Sequence, residues 1–259
     1  MTSLCYVYAV QARGARLPSR VLGFRDRRLF AVSHRDLEAV VSEIEEDTLQ
    51  GTEEDILRHE VVVEAVRQMG PAIPVRFGTV MRDPVAVANA LGARYSTLAG
   101  DLERLGDKVE LGVTILWHEP AVEDTAEEDE SSGEQTPGTR YLRAKYSQYR
   151  RDAGLRDRAA RLARELDGEL AAHALDRRCT VLPTPRLMMR AAYLLRPPDV
   201  EAFRGAFAEL KRKRSDLRFL LTGPWPPYSF VTTAEVARES GLDRLLHSVW
   251  REPRPAAQK

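Results

Sequence analysis

The chain reads as an α+β protein of two lobes joined by a long antiparallel, coiled-coil-like pair of helices. Three observations predict this. Strand-like segments followed by helix-like ones occur in both halves, without regular βαβα alternation. Residues 141–175 are rich in Ala, Arg and Leu at helical spacing, which at 1.5 Å per residue is on the order of 50 Å of helix, too long for one small core to cover. A second seam, Val87, Leu91, Tyr95, Leu98, Leu102 and Leu105, recurs at spacings of four and three and supplies the partner.

In order, residues 4–10 are rich in Tyr and Val and stop at a polar stretch bearing Gly and Pro, as a first strand does. Residues 29–33 read as a short second strand. From Asp36, the spacing of Leu37, Val40, Val41 and Ile44 predicts a short helix. Residues 53–69 carry acids in the first turn and stop at Gly70-Pro71, so they form a helix. Residues 75–80 are extended by pattern. Asp83-Pro84 is an N-cap followed by proline at the first helical position, opening the seam helix of 84–106. Apolar residues at 109, 111, 113, 115 and 117 alternate as in a strand.

Residues 119–134 hold eight acids and no base, a self-repelling run that predicts a disordered linker over 119–138. This places an N-terminal domain at 1–118 and a second domain, with the long helix, at 139–250. In that domain, residues 187–195 and 217–222 read as strands and 200–213 as a helix, while Gly154 and Gly168 invite a bend in the long helix. A proline-rich turn at 223–227 leads to extended 228–231. Thr232-Thr-Ala-Glu235 is a capping box for a last helix or helix pair to Trp250, and 251–259 are expected as a disordered polar tail.

Composition excludes several functions. The 39 basic and 39 acidic residues cancel, so no overall attraction to nucleic acid or anionic membrane is built in. Two cysteines, Cys5 and Cys179, supply neither a disulfide framework nor a four-cysteine zinc site, and both sit in apolar, strand-like surroundings. The N-terminus lacks a secretory signal, and no apolar run reaches membrane-spanning length. A soluble, cytoplasmic protein is expected.

The five histidines share no metal-ligand spacing and read as surface or boundary residues; no metal is expected. Phosphate-cradling glycine motifs and a nucleophile elbow are missing, so neither cofactor nor catalytic residue is expected, and no constellation supports an enzyme. Carboxylate pairs such as Glu45-Glu46 sit on polar helix faces or helix starts. Lys211-Arg-Lys-Arg214 and the Arg-rich stretch 140–178 raise the alternative of a nucleic-acid-binding regulator, although a basic helix end equally complements the macrodipole.

Two segments ask for more. In Pro74-Val-Arg-Phe-Gly-Thr-Val80, Arg76 beside Phe77 must find a buried ion partner or face outward for recognition. In Thr222-Gly-Pro-Trp-Pro-Pro-Tyr-Ser-Phe-Val231, three prolines remove backbone donors, so a stiff turn presents Trp225, Pro226, Pro227 and Tyr228 as rigid anchors, for the core or for a partner.

These strings, with Tyr6-Val-Tyr-Ala-Val10, Val109-Glu-Leu-Gly-Val113 and Gly138-Thr-Arg-Tyr-Leu142, resemble the gas vesicle GvpL/GvpF family in order and spacing, over roughly residues 4–250. The resemblance implies an N-terminal α/β domain and a C-terminal ferredoxin-like one flanking long helices. It implies a non-enzymatic accessory protein of gas vesicle formation that binds the major shell protein and assists nucleation or assembly, or sits in the vesicle as a minor component. Other accessory proteins are further partners, with no nucleic acid, membrane or small-molecule substrate. The acidic insert is this chain's departure from the family pattern. Under the alternative, the ferredoxin-like domain would bind nucleic acid.

Overall fold

A computed structural model describes residues 4–45, 50–118, 137–182, 184 and 187–232. The chain divides into two compact units, one drawn from Met1–Asp107 with Pro226–Lys259 and the other from Lys108–Trp225. The first strand past Asp107 lies in the second unit. The acidic linker lies outside the described residues except for 137 and 138. So do the last helix, beyond Thr232, and the tail.

In the first unit, β1 (Leu4–Ala12) is flanked on one side by β3 (Leu37–Ile44), antiparallel from Leu4↔Ile44 to Ala12↔Leu37 with a register shift between Val7 and Ala9. Two short strands, β4 (Ala72–Pro74) and β5 (Val80–Met81), pair with its other edge. The outer strand β2 (Phe30–His34) joins β3 through a tight turn, giving the order β2-β3-β1-β4. Arg35 in that turn has φ 55°.

Residues 37–44 are thus a strand and not the expected helix. Their helical spacing is misleading because only Glu43 is exposed. A strand covered on both faces loses the period-two signature and keeps only its apolar, β-branched content. Even Glu38 is buried, its carboxylate accepting from Gln11 Nε2 at 2.8 Å and the Gly14 amide at 3.1 Å.

Helix α1 (Glu53–Met69) opens with a reciprocal cap, in which the Thr52 hydroxyl accepts from the Asp55 amide and the Asp55 carboxylate from the Thr52 amide. Val62, Val63 and Val66 pack on Tyr6 and Tyr8 of β1. The expected single helix over 84–106 is two, α2 (Pro84–Ala93) and α3 (Tyr95–Leu105), broken at Arg94 with φ −116° and ψ 16°. The break lets α2 lie against β2 and β3 while α3 lies against β1 and β4. Asp83 caps α2 through the Ala86 amide, with Pro84 first in the helix, as expected. The seam residues Val87, Leu91, Leu98 and Leu105 are buried. Between β4 and β5 the chain turns at Phe77 and Gly78, interrupting the extended run expected there.

The second unit runs β6 (Val109–Trp117), α4 (Pro137–Ala171), β7 (Asp176–Val181), β8 (Leu187–Leu195), α5 (Val200–Lys213) and β9 (Leu217–Trp225). All pairs are antiparallel, in the order β7-β8-β6-β9. Each helix therefore connects two strands that have a third between them, the split β-α-β arrangement. Alternate residues Leu111, Val113, Ile115 and Trp117 of β6 join Ala159, Ala163, Leu166 and Leu170 of α4 and Phe203, Phe207 and Leu210 of α5 in one core.

α4 passes Gly154 and Gly168 without interruption, and a Cβ at either glycine would meet nothing within 4 Å. β7 begins just past the helix expected over 141–175, where the sequence predicts no strand. Its residues Asp176, Arg177, Arg178, Cys179 and Thr180 are all exposed, so an edge strand guarded by charge offers no apolar alternation. Cys179 is accordingly exposed, while Cys5 is buried.

Candidate functional site

The polar centre of the first unit is an aromatic cluster around His59, which α1 carries on its buried face in step with Val62, Val63 and Val66. The imidazole is fully buried and lies 5.8 Å from the Tyr8 ring, 5.7 Å from Phe77 and 6.2 Å from Tyr228, centroid to centroid. Its Nδ1 is 2.9 Å from the Tyr6 hydroxyl and its Nε2 3.1 Å from that of Tyr228.

The proton order follows from the ends of this chain. The Gly78 amide donates to the Tyr6 oxygen at 2.9 Å, leaving the Tyr6 proton for Nδ1. Nε2 then carries the imidazole hydrogen and donates to Tyr228, whose own hydroxyl donates to the Glu60 carboxylate. Burial drives His59 from 6.5 down to about 4, against a hydrogen bond to the Val75 backbone carbonyl, which as an acceptor favours the cation. Burial likewise raises the Tyr6 and Tyr228 hydroxyls and the Glu60 carboxyl. At neutral pH the imidazole is uncharged and the row of bonds is satisfied end to end, as a buried polar network must be.

What this network holds is the segment that follows Trp225. Pro226 and Pro227 are buried, Tyr228 is tied to His59, and the Phe230 ring is fully buried. Arg104 Nη2 donates to the Phe230 carbonyl at 2.9 Å, and Arg94 Nη2 to the Thr232 carbonyl at 2.6 Å. Asp101, only 3% exposed, accepts from the Thr232 amide at 2.7 Å, the Thr232 hydroxyl at 2.9 Å and Arg104 Nη2 at 2.8 Å. Residues 228–230 form a 3-10 turn where an extended run was expected.

The six residues singled out from the sequence divide accordingly. Phe77, half-buried, and Tyr228 meet at His59, and Pro226 and Pro227 are buried near them in sequence. Arg76 is exposed, with no carboxylate of the described residues beside it, and its carbonyl accepts from the Thr79 hydroxyl. Trp225 ends β9 opposite Glu110, half exposed after a cis Gly223–Pro224 bond. Sequence reasoning passed over Asp101 and treated His59 as a boundary residue. The spacing 59, 62, 63, 66 was the available signal, since it puts the histidine in an apolar stripe.

Three of the four bases at the end of α5 pair with carboxylates of their own unit. Arg212 pairs with Glu209, Lys213 with Glu169, and Arg214 with Asp216 and Glu165. Among the described residues no three metal-binding side chains come together, and no helix is long and apolar enough to cross a membrane.

The described residues fold as two α+β units, each built on an antiparallel sheet. The model of the family described as "Gas vesicle synthesis protein GvpL/GvpF" matches residues 4–232, and the chain belongs to that family. It is 31% identical over 255 residues to gas vesicle protein L of Streptomyces sp. (strain CB03234), covering 90% of this chain and 94% of the relative. It is 30% identical over 220 residues to gas vesicle protein F2 of Halobacterium salinarum, covering 83% and 86%. The crystal structure of GvpF from Anabaena sp. PCC7120 superposes with a TM-score of 0.73 at 19% identity, over 90% of this chain and 97% of that one. GvpF from Microcystis aeruginosa gives 0.68 at 17%, over 90% and 100%.

Proposed function

We propose that the protein is a non-enzymatic accessory factor of gas vesicle formation, cytoplasmic and vesicle-associated, that binds the major shell protein and assists its nucleation or assembly. The observation that carries this reading is the family match over residues 4–232. The names of the relatives, L and F alike, point the same way. Physical chemistry makes the role sensible. A vesicle wall needs an apolar face toward gas, so its small subunits are aggregation-prone before assembly, and a neutral partner with rigid exposed side chains can hold them.

In this reading the second unit is a ferredoxin-like domain, supported by the order β7-β8-β6-β9. Arg76 of the first unit and Trp225 of the second are the protein's partner-facing candidates because both are exposed. The nucleic-acid alternative is disfavoured, since three of the four bases in 211–214 already have carboxylate partners.

The test is co-expression with the major shell protein, followed by pull-down and a solubility assay of that subunit. Capture and solubilisation are expected, weakened by Arg76→Ala combined with Trp225→Ala in a protein of unchanged circular dichroism. A shell protein neither captured nor kept soluble would sink the direct role.

A further inference from the structure

Helix α4 spends only part of its length on the core. Its packed side chains begin at Leu155 and continue through Ala159, Ala163, Leu166 and Leu170. Ahead of them, Tyr141, Leu142, Tyr146 and Tyr149 are exposed at 64%, 65%, 64% and 66%. Positions 142, 146 and 149 follow the i, i+4, i+7 rule, with Tyr141 alongside, so the four form one stripe about 12 Å long. Single exposed apolar residues are ordinary, but four large ones in register on an otherwise polar helix are not.

The charge around the stripe is one-sided. Residues 140–151 contain Arg140, Arg143, Lys145, Arg150 and Arg151 and no acid. Arg143, Lys145 and Arg150 are exposed, and no carboxylate of the described residues pairs with them. Lys145 Nζ rests 5.9 Å from the Tyr141 ring centre. From Asp152 onward the helix mixes signs.

We propose that this basic, tyrosine-lined face of α4 is a docking surface for an acidic amphipathic helix of another protein. The inference deepens the binding role proposed above and rests on it for the existence of a protein partner. Stripe spacing matches helix-on-helix packing, in which anchors repeat every three to four residues. Tyrosine supplies large contact area with few torsions to freeze, and it is enriched among residues that dominate interfaces. Charge disfavours face-to-face pairing with a second copy, because two such faces would bring like charges together with no acid between them. Leu142 within the stripe favours a helix over single-stranded nucleic acid, since it offers no ring for a base to stack on.

The experiment is fluorescence anisotropy of the full chain with a labelled synthetic helix that has a leucine seam flanked by glutamates, beside a control helix with lysines in their place. The acidic helix should bind, weaken as salt is added, and lose at least ~10-fold in affinity with Tyr146→Ala plus Tyr149→Ala. Arg143→Glu with Lys145→Glu should transfer the preference to the lysine helix. All four positions are exposed, so circular dichroism and the melting temperature should not change.

Equal binding of both helices, no binding of the acidic one, or indifference to both variants would overturn the proposal. So would tighter binding of a single-stranded oligonucleotide at this face, or self-association abolished by the tyrosine substitutions. If the acidic helix fails while the shell protein is still captured, only this inference falls. If the helix binds and the shell protein is not captured, the proposed function falls and the surface stands.

Discussion

Acidification should destabilise the first unit through His59. Its imidazole titrates at about 4 when folded against an ordinary 6.5, because burial penalises the cation. Above pH 6.5 it is neutral in both folded and unfolded chains and contributes no pH dependence. Below that, the unfolded chain takes up a proton that the folded chain refuses until about pH 4, so stability falls as pH falls. At about 1.4 kcal/mol per unit of difference, the loss is about 2 kcal/mol at pH 5 and about 3 kcal/mol at pH 4.

The facing groups are Tyr6, Tyr8 and Tyr228, whose raised hydroxyls stay neutral throughout, and Glu60. Glu60 has the opposite sign. Its raised carboxyl holds a proton more firmly in the fold, so its contribution is lost as pH rises. Comparison with His59→Gln removes this overlap, since the amide keeps polar atoms at the site and does not titrate. Urea unfolding followed by tyrosine near-ultraviolet circular dichroism at several pH values reads the difference. The advantage of the parent chain over the variant should narrow by about 2 kcal/mol between pH 7 and pH 5. A flat difference would refute a buried neutral imidazole, and a widening one would mean that the fold stabilises the cation.

Two further outcomes are expected. Asp101→Asn turns an amide nitrogen toward groups that are themselves donors, at a cost of about 1.5–3 kcal/mol, and the Thr232 amide should lose its protection from hydrogen exchange; unchanged exchange there would contradict the anchoring. Gly223→Ala forces a side chain onto φ +102° and sets its Cβ 2.7 Å from the Glu110 carbonyl. It should cost the second unit about 1–3 kcal/mol by tryptophan-detected urea unfolding, and an unshifted midpoint would show that the β6–β9 end yields freely.

Local chemistry was legible wherever it acts alone. The start of α2 at Asp83-Pro84, the bounds of α1 and α5, and the alternation of β6 all follow from neighbours in the chain. What could not be read depends on distant partners. Residues 37–44 carry a helical spacing that only burial on both faces overrides. The break at Arg94 answers to different strands beneath α2 and α3, and β7 is a strand only because β8 lies beside it. The assignment of β6 to the second unit rests on pairings with β8 and β9, far along the chain.

The same division runs through the residues of the candidate site. Two family-like strings each contain a member that packs and a member that does not: Phe77 against Arg76, Tyr228 against Trp225. Composition cannot separate them, because an aromatic on a stiff turn serves a core and an interface equally well. Burial does separate them. Phe77 and Tyr228 surround an imidazole whose neutrality depends on the exclusion of water, so loss of either ring acts first on stability. Arg76 and Trp225 face solvent, where truncation costs the fold little and any effect on capture of a partner is read directly. A binding defect that followed Phe77 and Tyr228 in proportion to lost stability, with Arg76 and Trp225 silent, would place the contact elsewhere, and the exposed tyrosine stripe of α4 is the next surface in line.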